Sequence, residues 1–216
     1  STSLEMNLVH RTPVVAALAC AAFLAPSCDR GAVTASGGDE SPVALSANSA
    51  EALGDLADFA LTERSGKPVA KKDLAGTVWV AGFVFTRCTG PCPKVTGNMK
   101  RLQELLKGTH AKLVTFSVDP DYDTPEVLHR YAATHGASGE WYFVTGDVAT
   151  IRRTAIEGFK VGVGDPVQQP GGGLDILHAQ HFVLLDRQRR IRGFYRTDSE
   201  SLGELEEAID ALLEER

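Results

Sequence analysis

Two hydrophobic periods alternate along this chain, and they predict where strands and helices fall. Val78 to Phe85 (VWVAGFVF) is an unbroken apolar run rich in β-branched and aromatic residues, the pattern of a strand buried on both faces. Val95, Met99, Leu102, Leu105 and Leu106 then recur at helical spacing, ending at Gly108. Leu113 to Val118 predicts a second strand. Asp123-Thr124-Pro125-Glu126 reads as a helix start, with Asp123 as the cap and proline in the first turn, and Gly136 marks the helix end. Trp141 to Val144 is a short strand, and Asp147 caps a helix carrying Val148, Ile151 and Ala155. Gly164 to Leu177, with three consecutive glycines at 171–173, reads as a long loop. Phe182–Leu185 and Ile191–Tyr195 flank a tight turn at Asp186–Arg189, a hairpin signature. Leu202, Leu205, Ile209, Leu212 and Leu213 make a closing amphipathic helix.

Alternating elements of these lengths imply an α/β fold, a three-layer sandwich. Strand–helix–strand–helix followed by a hairpin and a helix resembles the thioredoxin arrangement. The Trp141–Gly158 strand and helix are then an insertion, and Phe59–Pro68 is a small N-terminal hairpin ahead of the core.

Composition changes the picture mainly at the N-terminus. Of 216 residues, 43% are hydrophobic and 23% charged, enough for a real core. Twenty-two Lys+Arg against 28 Asp+Glu give a net charge of −6, which argues against a nucleic-acid binder held by phosphate contacts. No stretch reaches the roughly 18 apolar residues of a spanning helix. Val14 to Ala25 is an apolar run of 12 residues behind Arg11, the pattern of a secretory signal peptide. The following segment, Asp29 to Ala52, holds six Ala, four Ser, three Gly and one Pro, and reads as a flexible tether rather than packed structure. Between them, Leu24-Ala-Pro-Ser-Cys28 resembles a bacterial lipobox, with Cys20 as a weaker candidate. The expected organisation is a signal and lipobox region over 1–28, a tether over 29–52 and a folded domain over 53–216. The protein would be exported and lipid-anchored through Cys28 on the periplasmic side of the inner membrane.

Loss of the signal and acylation of Cys28 would leave two thiols, Cys88 and Cys92, in Cys88-Thr-Gly-Pro-Cys92-Pro93. Residues i and i+4 share a face of a helical turn, so the sulfurs can converge. At the start of the next helix, Cys88 would lie in the field of unpaired amides, with Arg87 as a neighbouring cation. Both effects favour thiolate, the form that binds metal or attacks disulfides. Pro93 suits a first helical turn. A purely structural disulfide here would close a very short loop and remove little unfolded-chain entropy, which makes it the weaker reading.

Three motifs in order resemble the Sco/SenC copper-chaperone family. Phe85-Thr86-Arg87-Cys88-Thr-Gly-Pro-Cys92-Pro93 is similar to its C-x-x-x-C-P motif. Asp119-Pro120-Asp121-Tyr122-Asp123-Thr124 is similar to its D-P-x-x-D-T segment, and His178 in LHAQHFVLLD to its histidine before the hairpin strand. The resemblance covers essentially all of Leu53 to Arg216. It implies copper, one per chain, held by Cys88, Cys92 and His178, and a role in loading the dinuclear copper A centre of cytochrome c oxidase. The partners it implies are the copper-bearing oxidase subunit and other periplasmic copper donors. Two thiolates and an imidazole suit Cu(I), and imidazole also suits Cu(II), whereas structural zinc normally takes a fourth protein ligand. Arg87 and the helix N-terminus would offset the residual charge of the reduced form.

Six histidines compete for the third position. His10 belongs to the signal, His110 to a turn, and His129 and His135 to a helix. His181 is the serious rival to His178, which the long loop could fold over the cysteines. Ala179 stands where relatives often carry Ser or Thr. Asp119 and Asp123 read as turn and cap rather than ligands. Gly162 and Gly164 open no phosphate-binding helix. A second function competes with copper delivery: a thiol–disulfide oxidoreductase using Cys88 and Cys92 to keep the oxidase subunit's cysteines reduced. Against it, His178-Ala-Gln-His181 offers no proline where such enzymes place one ahead of the strand facing their cysteines.

Overall fold

The continuous apolar runs become strands of one sheet and the periodic segments become helices across it. The structure, a computed structural model, describes residues 53–168, 174–178 and 180–215, with the backbone alone at 174, 177 and 178. The signal, lipobox and tether readings, with Cys20 and Cys28, lie outside the described residues, as do the glycines at 171–173. In chain order come β1 (Gly54–Asp55), β2 (Ala60–Glu63), β3 (Pro68–Ala70), β4 (Trp79–Val84), α1 (Cys92–Leu105), β5 (Lys112–Ser117), α2 (Pro125–Thr134) and β6 (Trp141–Thr145). Then follow α3 (Val148–Arg153), which runs on as a π-helical turn (Thr154–Gly158), β7 (Val163–Gln168), β8 (Leu174–His178), β9 (His181–Leu185), β10 (Arg190–Arg196) and α4 (Ser199–Glu214).

Eight strands form one sheet in the order β1-β10-β9-β4-β5-β6-β2-β3. β4, β5 and β6 are parallel, as helical crossovers require, and β9 runs antiparallel to β4. The thioredoxin-like α/β fold expected from the sequence is the fold observed. The early hairpin is present as β2–β3, and β2 also pairs with β6, so it extends the sheet.

Alternation along β4 divides the core. Trp79, Phe83, Phe116 of β5 and Phe159 pack edge-on or stacked at 4.9–5.9 Å on one face. Gly82 faces α1, where Met99 and a Phe182 ring come within 3.5 Å of the space a Cβ would fill. Each fully buried large side chain contributes roughly 1.5–3 kcal/mol, and all six positions of β4 are buried.

Two expectations need correction. The segment from 164 to 177 is not simply a loop: β7 and β8 pair antiparallel as a separate two-stranded sheet, with His178 opposite Val163. Its glycines and Pro166 masked the pairing. The cap of α2 is Thr124, whose hydroxyl accepts from the Val127 amide, and Asp123 turns inward instead. Asp147 does cap α3, through the Thr150 amide.

Candidate functional site

Parallel β4 and β5 deliver their C-terminal ends to one edge of the sheet, where open α/β sheets place their chemistry. β4 runs into Phe85-Thr86-Arg87-Cys88, and β5 runs into the Asp119–Asp123 turn. Cys88 sits in the loop, half-buried, with its amide bonded to the Phe85 carbonyl at 3.1 Å. Cys92 is the first residue of α1 and 1% exposed. Neither is in a disulfide, and a hydrogen bond joins their side chains. The sequence-predicted pair is therefore brought together, although only Cys92 belongs to the helix.

At Cys92 the surroundings work against thiolate. Burial pushes its thiol up, the hydrogen bond with Cys88 adds to this, and a backbone bond from Phe85 works in the opposite direction. A helix N-terminus supplies about 0.3–1 kcal/mol, less than the 1.4 kcal/mol or so of one pKa unit, so desolvation prevails. Arg87, the cation beside the thiols in sequence, pairs with a carboxylate. Its guanidinium donates to Asp119 Oδ2 at 3.0 and 2.7 Å and lies 4.2 Å over the Tyr122 ring.

Beneath the loop lies a polar network that the sequence did not announce. Asp123, 0% exposed, accepts the Thr86 amide at 3.1 Å, the Thr86 hydroxyl, and the Ser117 hydroxyl at 2.6 Å. Ser117 also accepts the Asp119 amide at 3.1 Å. Burial raises the Asp123 carboxyl above the usual range, with the Ser117 and Thr86 bonds pulling it back. Tyr131 of α2 shares a 2.7 Å hydrogen bond with Thr96 of α1, and burial pushes its phenol up to about 12. The available signal was polar residues at the C-terminal ends of β4 and β5, where an apolar run gives way to Thr86 and Ser117.

His178 ends β8, and His181 opens β9 three residues later. In the β4–β9 pairing, Ala81 stands opposite Val183 and Trp79 opposite Leu185. The start of β9 thus lies toward the end of β4 that leads to Cys88, so His181 opens β9 at the thiol end of the sheet. His181 is half-buried, and burial followed by Arg196 lowers its pKa. Among the described residues no group of three or more His, Cys, Asp or Glu is arranged to hold a metal. Asp119 and Asp123 are committed to Arg87, Thr86 and Ser117.

Fold and site together define a thioredoxin-like dithiol protein with a histidine-bearing strand entry beside its thiols. The SCO1/SenC family profile matches residues 48–214, and the chain belongs to that family. A SCO1/SenC family lipoprotein from Bacillus anthracis is 32% identical, with a TM-score of 0.68 over 76% of this chain and 99% of that one. BsSco, a member of the Sco family of cytochrome c oxidase assembly proteins in which a disulfide switch was identified, is 28% identical. Its TM-score is 0.65 over 77% of this chain and 98% of its own. ScoI from Bradyrhizobium japonicum, solved with copper bound, shares the fold at 24% identity and a TM-score of 0.62, over 73% and 97% of the two chains. The family is thus one of oxidase assembly proteins with copper-bound members.

Proposed function

We propose that this chain is a membrane-tethered metallochaperone that carries one copper ion as cargo to the copper-bearing subunit of cytochrome c oxidase. There it helps load the dinuclear copper A centre. The observation that supports this best is the hydrogen-bonded pair of thiols at the end of the sheet toward which β9 opens, three residues after His178. Cys88, Cys92 and His178 are the proposed ligands. Two sulfurs and an imidazole are a soft set suited to copper. A structural zinc site would call for a fourth ligand, and the nearby carboxylates of Asp119 and Asp123 are already engaged. With both thiols deprotonated and the imidazole neutral, Cu(I) leaves a single negative charge and Cu(II) leaves none.

Purified protein is expected to bind one Cu(I) per chain through two sulfurs. X-ray absorption showing only nitrogen and oxygen around the metal would sink the assignment. His178→Ala should keep Cu(I) at reduced affinity, lose the Cu(II)–thiolate charge-transfer band and fail to support oxidase assembly, and His181→Ala should do none of this. The hydrogen-bonded thiol pair and the disulfide switch of BsSco favour a second reading, a thiol–disulfide oxidoreductase. It takes over if His178→Ala assembles normal oxidase while Cys88→Ser does not.

Among the described residues no helix is long and apolar enough to cross a membrane. Anchoring is assigned to an acylated Cys28 on the periplasmic side of the inner membrane, since several acyl chains together hold a protein stably. Intact-mass analysis of membrane-extracted protein should show residues 6–27 removed and Cys28 lipidated. An unmodified Cys28 would refute the anchor.

A further inference from the structure

The two thiols are held by different means. Cys92 is fixed by α1, at its first turn and buried. Cys88 stands in the stretch from Phe85 to Pro91, which has no helix or strand of its own. Phe85 is buried in the core, and the side chains of one five-residue turn grip the two residues that follow it. The last residue of the turn, Asp123, takes the amide and hydroxyl of Thr86, and its first, Asp119, takes the guanidinium of Arg87. Thr86 and Arg87 are the two residues immediately before Cys88. The turn is itself closed, with the Tyr122 and Asp123 amides donating to the Asp119 carbonyl at 3.1 and 2.9 Å, and Ser117 bridges both aspartates.

Burying a carboxylate costs several kcal/mol unless its surroundings compensate. The Thr86 amide and the Thr86 and Ser117 hydroxyls that donate to Asp123 are all neutral, and the cap of α2 is supplied by Thr124. Helix capping therefore does not account for an aspartate here.

We infer that the Asp119–Asp123 turn is the positioning element of the thiol pair, and that Asp123 is its principal residue, setting where Cys88 stands relative to Cys92 through Thr86. This rests on Cys88 and Cys92 being the working thiols. Asp123 acts through its geometry. An asparagine can reproduce it, since the amide oxygen accepts the Thr86 amide and the Ser117 hydroxyl while the NH2 donates to a reoriented Thr86 hydroxyl.

The test uses the metal-free full-length protein equilibrated with glutathione. Oxidised glutathione takes two electrons and two protons from the Cys88 and Cys92 thiols, giving the Cys88–Cys92 disulfide and two reduced glutathione molecules. Asp123→Ala removes both bonds that hold Thr86, so it should shift this equilibrium about tenfold or more and change the rate of Cys88 alkylation. Asp123→Asn should stay within about twofold of the parent, because the lost charge leaves the hydrogen-bond geometry intact. If Asp123→Ala lowers the urea midpoint but leaves both thiol readouts unchanged, the residue is merely structural and the inference falls. If Asp123→Asn behaves like Asp123→Ala, charge rather than position is at work, and it falls again. Should Asp123→Ala fail to fold, Thr86→Val and Arg87→Ala release the two holds separately. Each is expected to move the equilibrium several-fold, and no movement in either overturns the inference. The assay contains no copper, so a protein that binds none would still show the alanine–asparagine contrast if the turn positions the thiols.

Discussion

Each end of the central sheet buries an aspartate in a turn, and the two are satisfied in opposite ways. Asp186, 2% exposed between β9 and β10, accepts the Gln188 and Arg190 amides at 2.9 Å, Arg190 Nε at 2.9 Å and Arg192 Nη1 at 3.4 Å. The same Nη1 and Nη2 of Arg192 donate to Glu215, each at 3.0 Å from one carboxylate oxygen, which ties the end of α4 to the same cluster. Asp123 takes its bonds from two hydroxyls and an amide. At the far end charge is cancelled within the cluster, and the geometry serves to hold β9, β10 and α4 together. At the thiol end a carboxylate's charge is held by dipoles alone. Its repulsion adds to the burial and the Cys88 hydrogen bond that already push the Cys92 thiol up. One end is built for stability, and the other accepts a cost to keep a fixed hydrogen-bond geometry beside two sulfurs.

The largest effect that would break this comparison is expected from Asp186→Ala. It strands Arg192, whose side chain is 8% exposed, with one carboxylate partner fewer, and leaves two turn amides unpaired. Removing one member of a buried ion pair costs about 3–5 kcal/mol, so urea unfolding should show a loss of that order. Cys88 alkylation should not change. If thiol reactivity moves together with stability, the two ends are not independent.

Ser117→Ala should cost less and reach further. It removes one hydroxyl donor from Asp123, with no buried cation orphaned, for about 1–3 kcal/mol. Because the Ser117 bond is the strongest influence lowering the Asp123 carboxyl, its loss should raise that pKa further. Alkylation of Cys88 should change here, in contrast to Asp186→Ala. A pure stability loss at Ser117, read by urea unfolding with the thiol rate unmoved, would erase the distinction between the ends.

The sequence made the two ends legible to different degrees. The hairpin turn at Asp186–Arg189 was visible because Phe182–Leu185 and Ile191–Tyr195 bracket it with apolar runs. The strands β4, β5, β6, β9 and β10, with α1, α2 and α4, followed from periodicity for the same reason: burial of a face is written locally. Cys88 and Cys92 were legible from spacing, and the His178 segment from its motif. What escaped were pairings across long separations. Arg87 reads as the thiols' neighbour, yet Asp119, 32 residues away, claims it. Asp123 and Thr124 both carry capping oxygens, and the choice between them was made by donors on Thr86, just past β4, and on Ser117 of β5. The β7–β8 pairing was hidden because glycine and proline signal loops whether or not two strands meet across them.

The smallest predicted effect calibrates the rest, and it needs only one experiment. Glu104 is an exposed carboxylate on α1 paired with Lys107 and Lys100, and their hydrogen bonds lower its pKa from 4.5 to about 2. A depressed carboxyl contributes stability that is present above its unfolded value and lost as pH falls through its folded one, here between about pH 4.5 and pH 2. Asp123 has the opposite sign. Its folded pKa is raised above 3.8, so its contribution is complete below that value and is lost as pH rises through the folded pKa. Carbon-detected NMR of the side-chain carboxyls should therefore show Glu104 titrating below the ordinary range and Asp123 above it in one pH series. Added salt separates them again. Exposed pairs are screened within about 8–10 Å at physiological ionic strength and more closely at higher salt, so Glu104 should drift back toward its ordinary value. Burial is not screened, so Asp123 should hold its position. An Asp123 that titrates at or below the ordinary carboxylate range, or relaxes with salt as Glu104 does, would mean that its charge is compensated much as Asp186's is.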